Sequence, residues 1–187
     1  MILRKNEIMQ AFKFLKPAIG GNESRKNLMV VNVEYGRDDY AILTAANSFI
    51  IKRVKLETIE SKMFYTFNIN KPAICTFEKI CRIEKNIRFA GVSSSILSCG
   101  DFGLKYKQQE TDFPNLEKLL STDYKSQPID NYSGLSHYLL EDCLYGFPNE
   151  SKREVLKVWF KGKDSPVKIQ SQCGNYTAMI MPVRINW

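Results

Sequence analysis

Residues able to do acid–base or nucleophilic chemistry are few in this chain, and poorly arranged for it. Its one histidine, His137, sits among apolar residues. With no Ser or Cys motif framing it, it reads as a structural or surface side chain rather than a general base. The acidic pairs Asp38-Asp39 and Glu141-Asp142 are adjacent in sequence. Neighbours in a helix or strand point in different directions, which removes both pairs from paired-carboxylate work. Five cysteines (Cys75, Cys81, Cys99, Cys143 and Cys173) include no C-x-x-C pair. They suit neither a zinc site nor a disulfide framework, and read mostly as small apolar fillers in a reducing compartment. Gly-rich phosphate loops, H-E-x-x-H runs and nucleophile elbows are missing from the sequence. The expectation is a protein that is not an enzyme, with no cofactor and no metal.

A chain of 187 residues has room for one large or two small domains with a real core. Its formal net charge of +7 is compatible with a nucleic-acid partner without specifying one. No apolar run is long enough to span a bilayer, and MILRKNEIMQ lacks the apolar centre of a secretion signal. A cytoplasmic protein with no membrane partner is expected.

The elements that must position any binding residues recur. Asn6 can cap a helix over 7–16, with Ile8, Ala11, Phe12 and Leu15 as its apolar stripe and Lys13 and Lys16 off it. Strands are predicted at 28–35, 40–46 and 49–57, with Ile51, Arg53 and Lys55 on one face of the third. The pattern then returns. A strand at 64–69 leads to Asn70, which caps a helix bearing Pro72 in its first turn. Ile74, Phe77, Ile80 and Cys81 form the buried stripe of that helix, while Lys71, Lys79 and Arg82 lie mostly off it. Strands follow near 87–92, 95–99 and 102–108. The polar stretch 121–127 is the best linker, and Asn131 or Ser133 then caps a third helix carrying Leu135, Leu139 and Cys143. Strands near 155–161, 167–171 and 176–183 complete a third helix-plus-strands unit. Off-stripe lysines are by default a solvated helix face.

The final stretch, Ser165 to Trp187, reads as a strand pair turned by Gly174-Asn175, with Pro182 marking an edge or a strand end. Met179, Met181, Pro182 and Val183 suit a sheet core or a docking surface equally well. The run SPVKI, a hairpin and then YTAMIMPVRI resembles the end of the bacterial DNA polymerase sliding clamp, the beta processivity factor. Ser136 to Leu144 resembles the helix before those strands, and Thr111-Asp112-Phe113-Pro114-Asn115-Leu116 resembles the segment that closes an earlier clamp domain. Three matches in the right order carry the resemblance to a small, divergent or phage-type member.

The resemblance implies an α+β, DNA-clamp-like fold of repeated helix-plus-antiparallel-sheet units, with helices on one face of curved sheets. It divides the chain into a complete domain of two units at 1–120 and a half or reduced second domain at 121–187. It implies a DNA polymerase processivity factor that encircles or tracks double-stranded DNA without reading sequence. Lys13, Lys16, Lys79 and Arg82, with Lys5 and Lys71 at the helix starts, would then face the duplex. Met179, Met181, Pro182, Val183 and Arg184 would wall a hydrophobic cleft for short peptides of a polymerase or other replication proteins. Thr44 to Ser48 is a faint echo of its other wall. An odd count of units predicts an uncovered sheet edge, and hence a homo-oligomer, a dimer or tetramer. The alternatives are a monomeric clamp-fold DNA-binding accessory subunit, or a protein that binds or mimics a host clamp.

Overall fold

In the computed structural model, which describes residues 1–21, 23–35, 39–59, 65–109, 111–120, 135–148, 155–162 and 164–182, the chain opens on a strand that its sequence conceals. β1 (Ile2–Arg4) is followed directly by α1 (Lys5–Leu15). The sequence puts this helix at 7–16 behind an Asn6 cap. The cap position is instead Arg4, whose side chain caps nothing. The strand itself supplies what a cap would: the Lys5 N–H donates to the Arg88 carbonyl at 2.8 Å, satisfying one of the amides a helix start leaves open.

Short 3₁₀ turns at Lys16–Ala18 and Glu23–Leu28 lead into β2 (Val30–Tyr35), β3 (Tyr40–Ala46) and β4 (Ile50–Glu57), the expected meander. The second unit is β5 (Tyr65–Asn70), α2 (Lys71–Ile83), β6 (Phe89–Val92), β7 (Ile96–Cys99) and β8 (Phe102–Lys105). Here the predicted cap is present: Asn70 Oδ1 accepts from the Ala73 N–H at 2.9 Å.

The two units exchange their first strands. β1 pairs antiparallel with β6 of the second unit, and β5 pairs antiparallel with β2 of the first. Neither unit can complete its sheet alone. Phe12 on α1 meets Phe77 on α2 edge to face, with centroids 6.0 Å apart.

The rest of the chain supplies α3 (Glu117–Leu120), α4 (His137–Leu144), β9 (Lys157–Trp159), β10 (Val167–Gln170) and β11 (Tyr176–Ile180). The predicted linker at 121–127 and the caps at Asn131 and Ser133 lie outside the described residues. β11 pairs antiparallel with β4, so the larger sheet runs β5-β2-β3-β4-β11-β10-β9 beside a smaller β1-β6-β7-β8. The β4 edge of the first unit is therefore covered within the chain by the third unit, while β8 and β9 remain outer strands of the two sheets among the described residues. The fold class is the expected one: α+β, with helices packed against antiparallel sheets.

Three contacts seat the third unit on the first. Phe14 lies off the apolar stripe of α1 yet is fully buried, because Phe147 and Tyr176 close on it at 4.7 and 5.3 Å between centroids. Gln10 Nε2 donates to the Gly146 carbonyl at 2.8 Å. Lys52 reaches from the helix-facing side of β4 to donate to the Tyr145 carbonyl at 2.8 Å, its ammonium 4.4 Å from the centre of the Phe14 ring. Gly146 adopts φ +77, and a Cβ there would stand 2.7 Å from the Phe14 Cα.

Lys52 is 0% exposed, and burial pulls its ammonium down from the usual value to about 8, against small opposing effects from Cys143 and Asp142. A base whose folded pKa is depressed penalises folding below that pKa, and the penalty fades as pH rises to the unfolded value. The stability of the native chain minus that of Lys52→Met should therefore rise by about 3 kcal/mol between pH 8 and 10.5. Cys143, pushed up to about 11 by burial and held back by the Lys52 charge, moves the difference the same way. Paired urea melts across that range check it. A flat difference would mean the ammonium is not desolvated.

Candidate nucleic-acid interface and outer-face groove

The expected basic residues separate into three groups. Lys13 and Arg82 are exposed, and with Lys16 they line a groove of ≈ 460 Å³ between α1 and α2. Lys13 also stands 5.9 Å from the centre of the Tyr145 ring. Lys16 is less free, since its Nζ is 2.7 Å from the Glu78 carboxylate, itself 6% exposed as a residue. That ion pair ties the end of the first helix to α2.

Lys71 and Lys79 are exposed but lie outside the groove lining. Lys5, expected at the DNA face, is 8% exposed, and its Nζ donates to the Glu84 carbonyl at 2.7 Å and the Lys85 carbonyl at 3.4 Å. It serves the carbonyls that the end of α2 leaves open, where a cation is favoured. Lys5 is therefore removed from the set of exposed cations.

Two cations that sequence reading passed over belong here. Lys85 follows α2 and lines the groove; Arg88 lines the neighbouring cavity at the start of α1 together with Arg4 and Lys85. Both sit in the irregular stretch between α2 and β6, outside any periodic element. Basic type was their only signal. His137 is exposed on α4, with Nε2 3.2 Å from a Glu141 carboxylate oxygen, an i,i+4 surface pair. Among the described residues no three His, Cys, Asp or Glu side chains converge to hold a metal.

The opposite face of the larger sheet carries a second, smaller apolar cluster. Ala46, Ile51, Met179 and Leu120 are its buried members, with Phe113, Leu116, Leu119 and Met181 packed half-buried against them. Alternation along β3, β4 and β11 turns these residues away from the helices, and the segment Phe113–Leu120 crosses over them. Of the residues expected to wall a cleft, Met179 is 1% exposed within this cluster, while Met181 and Pro182 are half-buried. Val183 and Arg184 lie outside the described residues. The second wall was sought at Thr44 to Ser48, and Ala46 does belong to the cluster. Most of that wall comes instead from Phe113, Leu116 and Leu119, residues read from sequence only as a domain-closing segment. Their apolar spacing around Pro114 was the available signal.

No protein-family model and no curated protein matches the sequence. Solved structures do match. The sliding clamp of Bacillus subtilis superposes at TM-score 0.81 with 13% identity, over 100% of this chain and 64% of that one. The DNA polymerase III beta chain of Streptococcus pneumoniae gives 0.81 and 13% over 99% and 64%. The beta subunit of Thermotoga maritima gives 0.80 and 12% over 100% and 65%. The chain thus spans about two thirds of the length of these structures and has the sliding-clamp fold.

Proposed function

We propose that the chain is a sliding-clamp-like processivity factor, a non-enzymatic protein that holds duplex DNA through its phosphates and docks replication proteins on its outer surface. One observation carries this reading. The cationic groove of Lys13, Arg82 and Lys85 and the apolar cluster around Met179 lie on opposite faces of one body. A protein that must slide along DNA while towing a partner needs that separation, because phosphate contacts without base contacts leave it free to move. Structures that share the fold are described as DNA polymerase III beta subunits and sliding clamps, which supports the same reading. Encirclement would need further clamp-like units beyond these, and outer strands such as β8 and β9 offer backbone groups for joining them.

A second reading is a monomeric clamp-fold accessory subunit. It is favoured by the pairing of β11 with β4, which covers within one chain the outer edge of the first unit.

Retention on DNA of different topology separates the two. A ring should stay on nicked circular DNA through a wash at about 0.5 M salt, where exposed charges are screened within several ångströms, and should leave when the circle is cut. A monomer should leave circle and linear fragment at the same salt concentration. Retention that is indifferent to cutting would overturn encirclement.

A further inference from the structure

A row of polar side chains crosses the outer face of the larger sheet. Asn68, Asn32, Thr44 and Arg53 stand opposite one another on β5, β2, β3 and β4. Asn32 Nδ2 donates to Asn68 Oδ1 at 3.1 Å, and Arg53 Nε donates to Thr44 Oγ1 at 3.2 Å. Asn68 Nδ2 in turn donates to the carbonyls of Gln109 and Thr111, at 3.3 and 2.9 Å, which fixes which end of each amide is which.

Against this row, under the crossing segment, lies a cavity of ≈ 680 Å³. Asn32 lines it at 3% exposure, and its Oδ1 has no hydrogen-bond partner; neither has the buried Thr111 Oγ1 beside it. An acceptor left unmade at such depth costs about 1–3 kcal/mol, so Asn32 Oδ1, which can only accept, calls for a donor, and the Thr111 hydroxyl is able to accept from one as well. The charge around them calls for the same. Arg53 is neutralised by Glu117 at 2.5 Å, a hydrogen bond that holds the Glu117 carboxyl below its usual value. Glu34, two residues along β2 on the same face, and Asp112 also line the cavity, and neither has an ion-pair partner among the described residues. One orphaned amide oxygen, a hydroxyl able to accept and two unpaired carboxylates match a planar cation with several N–H donors.

We infer that this cavity is a binding site for a guanidinium group, supplied by an arginine side chain of a peptide docked at the adjoining apolar cluster. Phe113 and Leu116 line the cavity and also pack on the apolar cluster, so a peptide anchored at the cluster places its neighbours at the mouth of the cavity. The source of the cation rests on the docking reading; the pocket does not.

The pocket is tested first, with methylguanidinium chloride titrated into the full chain and the Asn32 side-chain amide followed by NMR. A saturable shift is expected, with affinity at least fivefold weaker in the double variant Glu34→Gln, Asp112→Asn, whose melting temperature should match the native chain. No saturable shift, an equal affinity in the double variant, or equal binding of uncharged methylurea would overturn the site. The source is tested next, with acetylated hexapeptides carrying a Leu-Phe anchor and either Arg or citrulline on either side of it. An Arg advantage of fivefold or more, abolished by the double variant, supports the peptide as donor. No Arg advantage overturns that source, with the pocket judged by the first titration. If neither peptide binds while methylguanidinium does, the docking reading fails and the pocket stands as a site for a free cation.

Discussion

Replacing Lys13, Arg82 and Lys85 together by Glu should weaken duplex binding about a hundredfold or more at roughly 0.1 M salt. Each reversal removes one phosphate contact and adds one repulsion, worth about 1 kcal/mol apiece even in high dielectric, and 1.4 kcal/mol is tenfold. The salt dependence should flatten as well. Each lost phosphate takes about 0.9 from the log–log slope, so three take nearly three. All three residues are exposed, and exposed charges contribute little to folding, so the variant should melt like the native chain. Lys16 is left out deliberately: a glutamate there would face the Glu78 carboxylate it now neutralises at 2.7 Å. The comparison that gives the test its edge is Lys71→Glu with Lys79→Glu. These charges are exposed but outside the groove, and their reversal should cost much less. Fluorescence anisotropy of a labelled duplex across a salt series reads both quantities. Equal losses in the two variants would mean that net charge, and not this groove, holds the DNA.

The second large effect concerns the seating of the third unit. Gly146→Ala should destabilise the protein by about 3 kcal/mol. Of that, about 1–2 is the cost of a left-handed conformation for any residue with a Cβ, and the remainder comes from overlap with packed backbone. The overlap is specific: the new carbon would sit 2.7 Å from Phe14 Cα and 2.9 Å from Phe14 N. Gly174 separates the two contributions. Its φ of +81 is as unusual, but a Cβ there meets nothing nearer than the Gln170 side-chain nitrogen at 3.8 Å. Gly174→Ala should therefore show the conformational cost alone. Amide exchange adds a spatial readout. In Gly146→Ala the β11 amides should lose protection before those of β3, since β11 belongs to the unit that the turn anchors. If both alanine variants cost the same, the turn at Gly146 is not pressed against α1.

How much was legible depended on range. β3 at Tyr40–Ala46 and the Asn70 cap of α2 were read correctly because alternation and capping involve residues only a few positions apart. The charge groove was half legible. Helical periodicity found Lys13 and Arg82, but it could not show that Lys5, one turn from exposed neighbours, bends to carbonyls 79 residues away. Periodicity misjudged Phe14 for a related reason. A helix stripe predicts burial against one surface, and Phe14 is buried by a second surface that arrives more than a hundred residues later. The apolar character of Met179 on the outer face was legible, while its cover was not, since a cross-over segment such as Phe113–Leu120 declares its apolar residues but not the sheet they will cover.

The sequence by itself determined the local pieces: three helices followed by strands, the Asn70 cap, the scarcity of catalytic side chains, and a C-terminal run that resembles a clamp ending. These follow from local sterics and from periods of two and 3.6 residues, which each segment carries whether or not its neighbours are present. Only the tertiary structure decided how the units join. The exchange of β1 and β5, the continuation of the sheet from β4 to β11, and the burial of Lys52 beneath Tyr145 are pairings between distant edges and faces. Several edges of similar length and hydrophobicity could have met. The choice among them lies in the packing that all segments reach together, where Gly146 fits against Phe14 and the Lys52 ammonium finds the Tyr145 carbonyl.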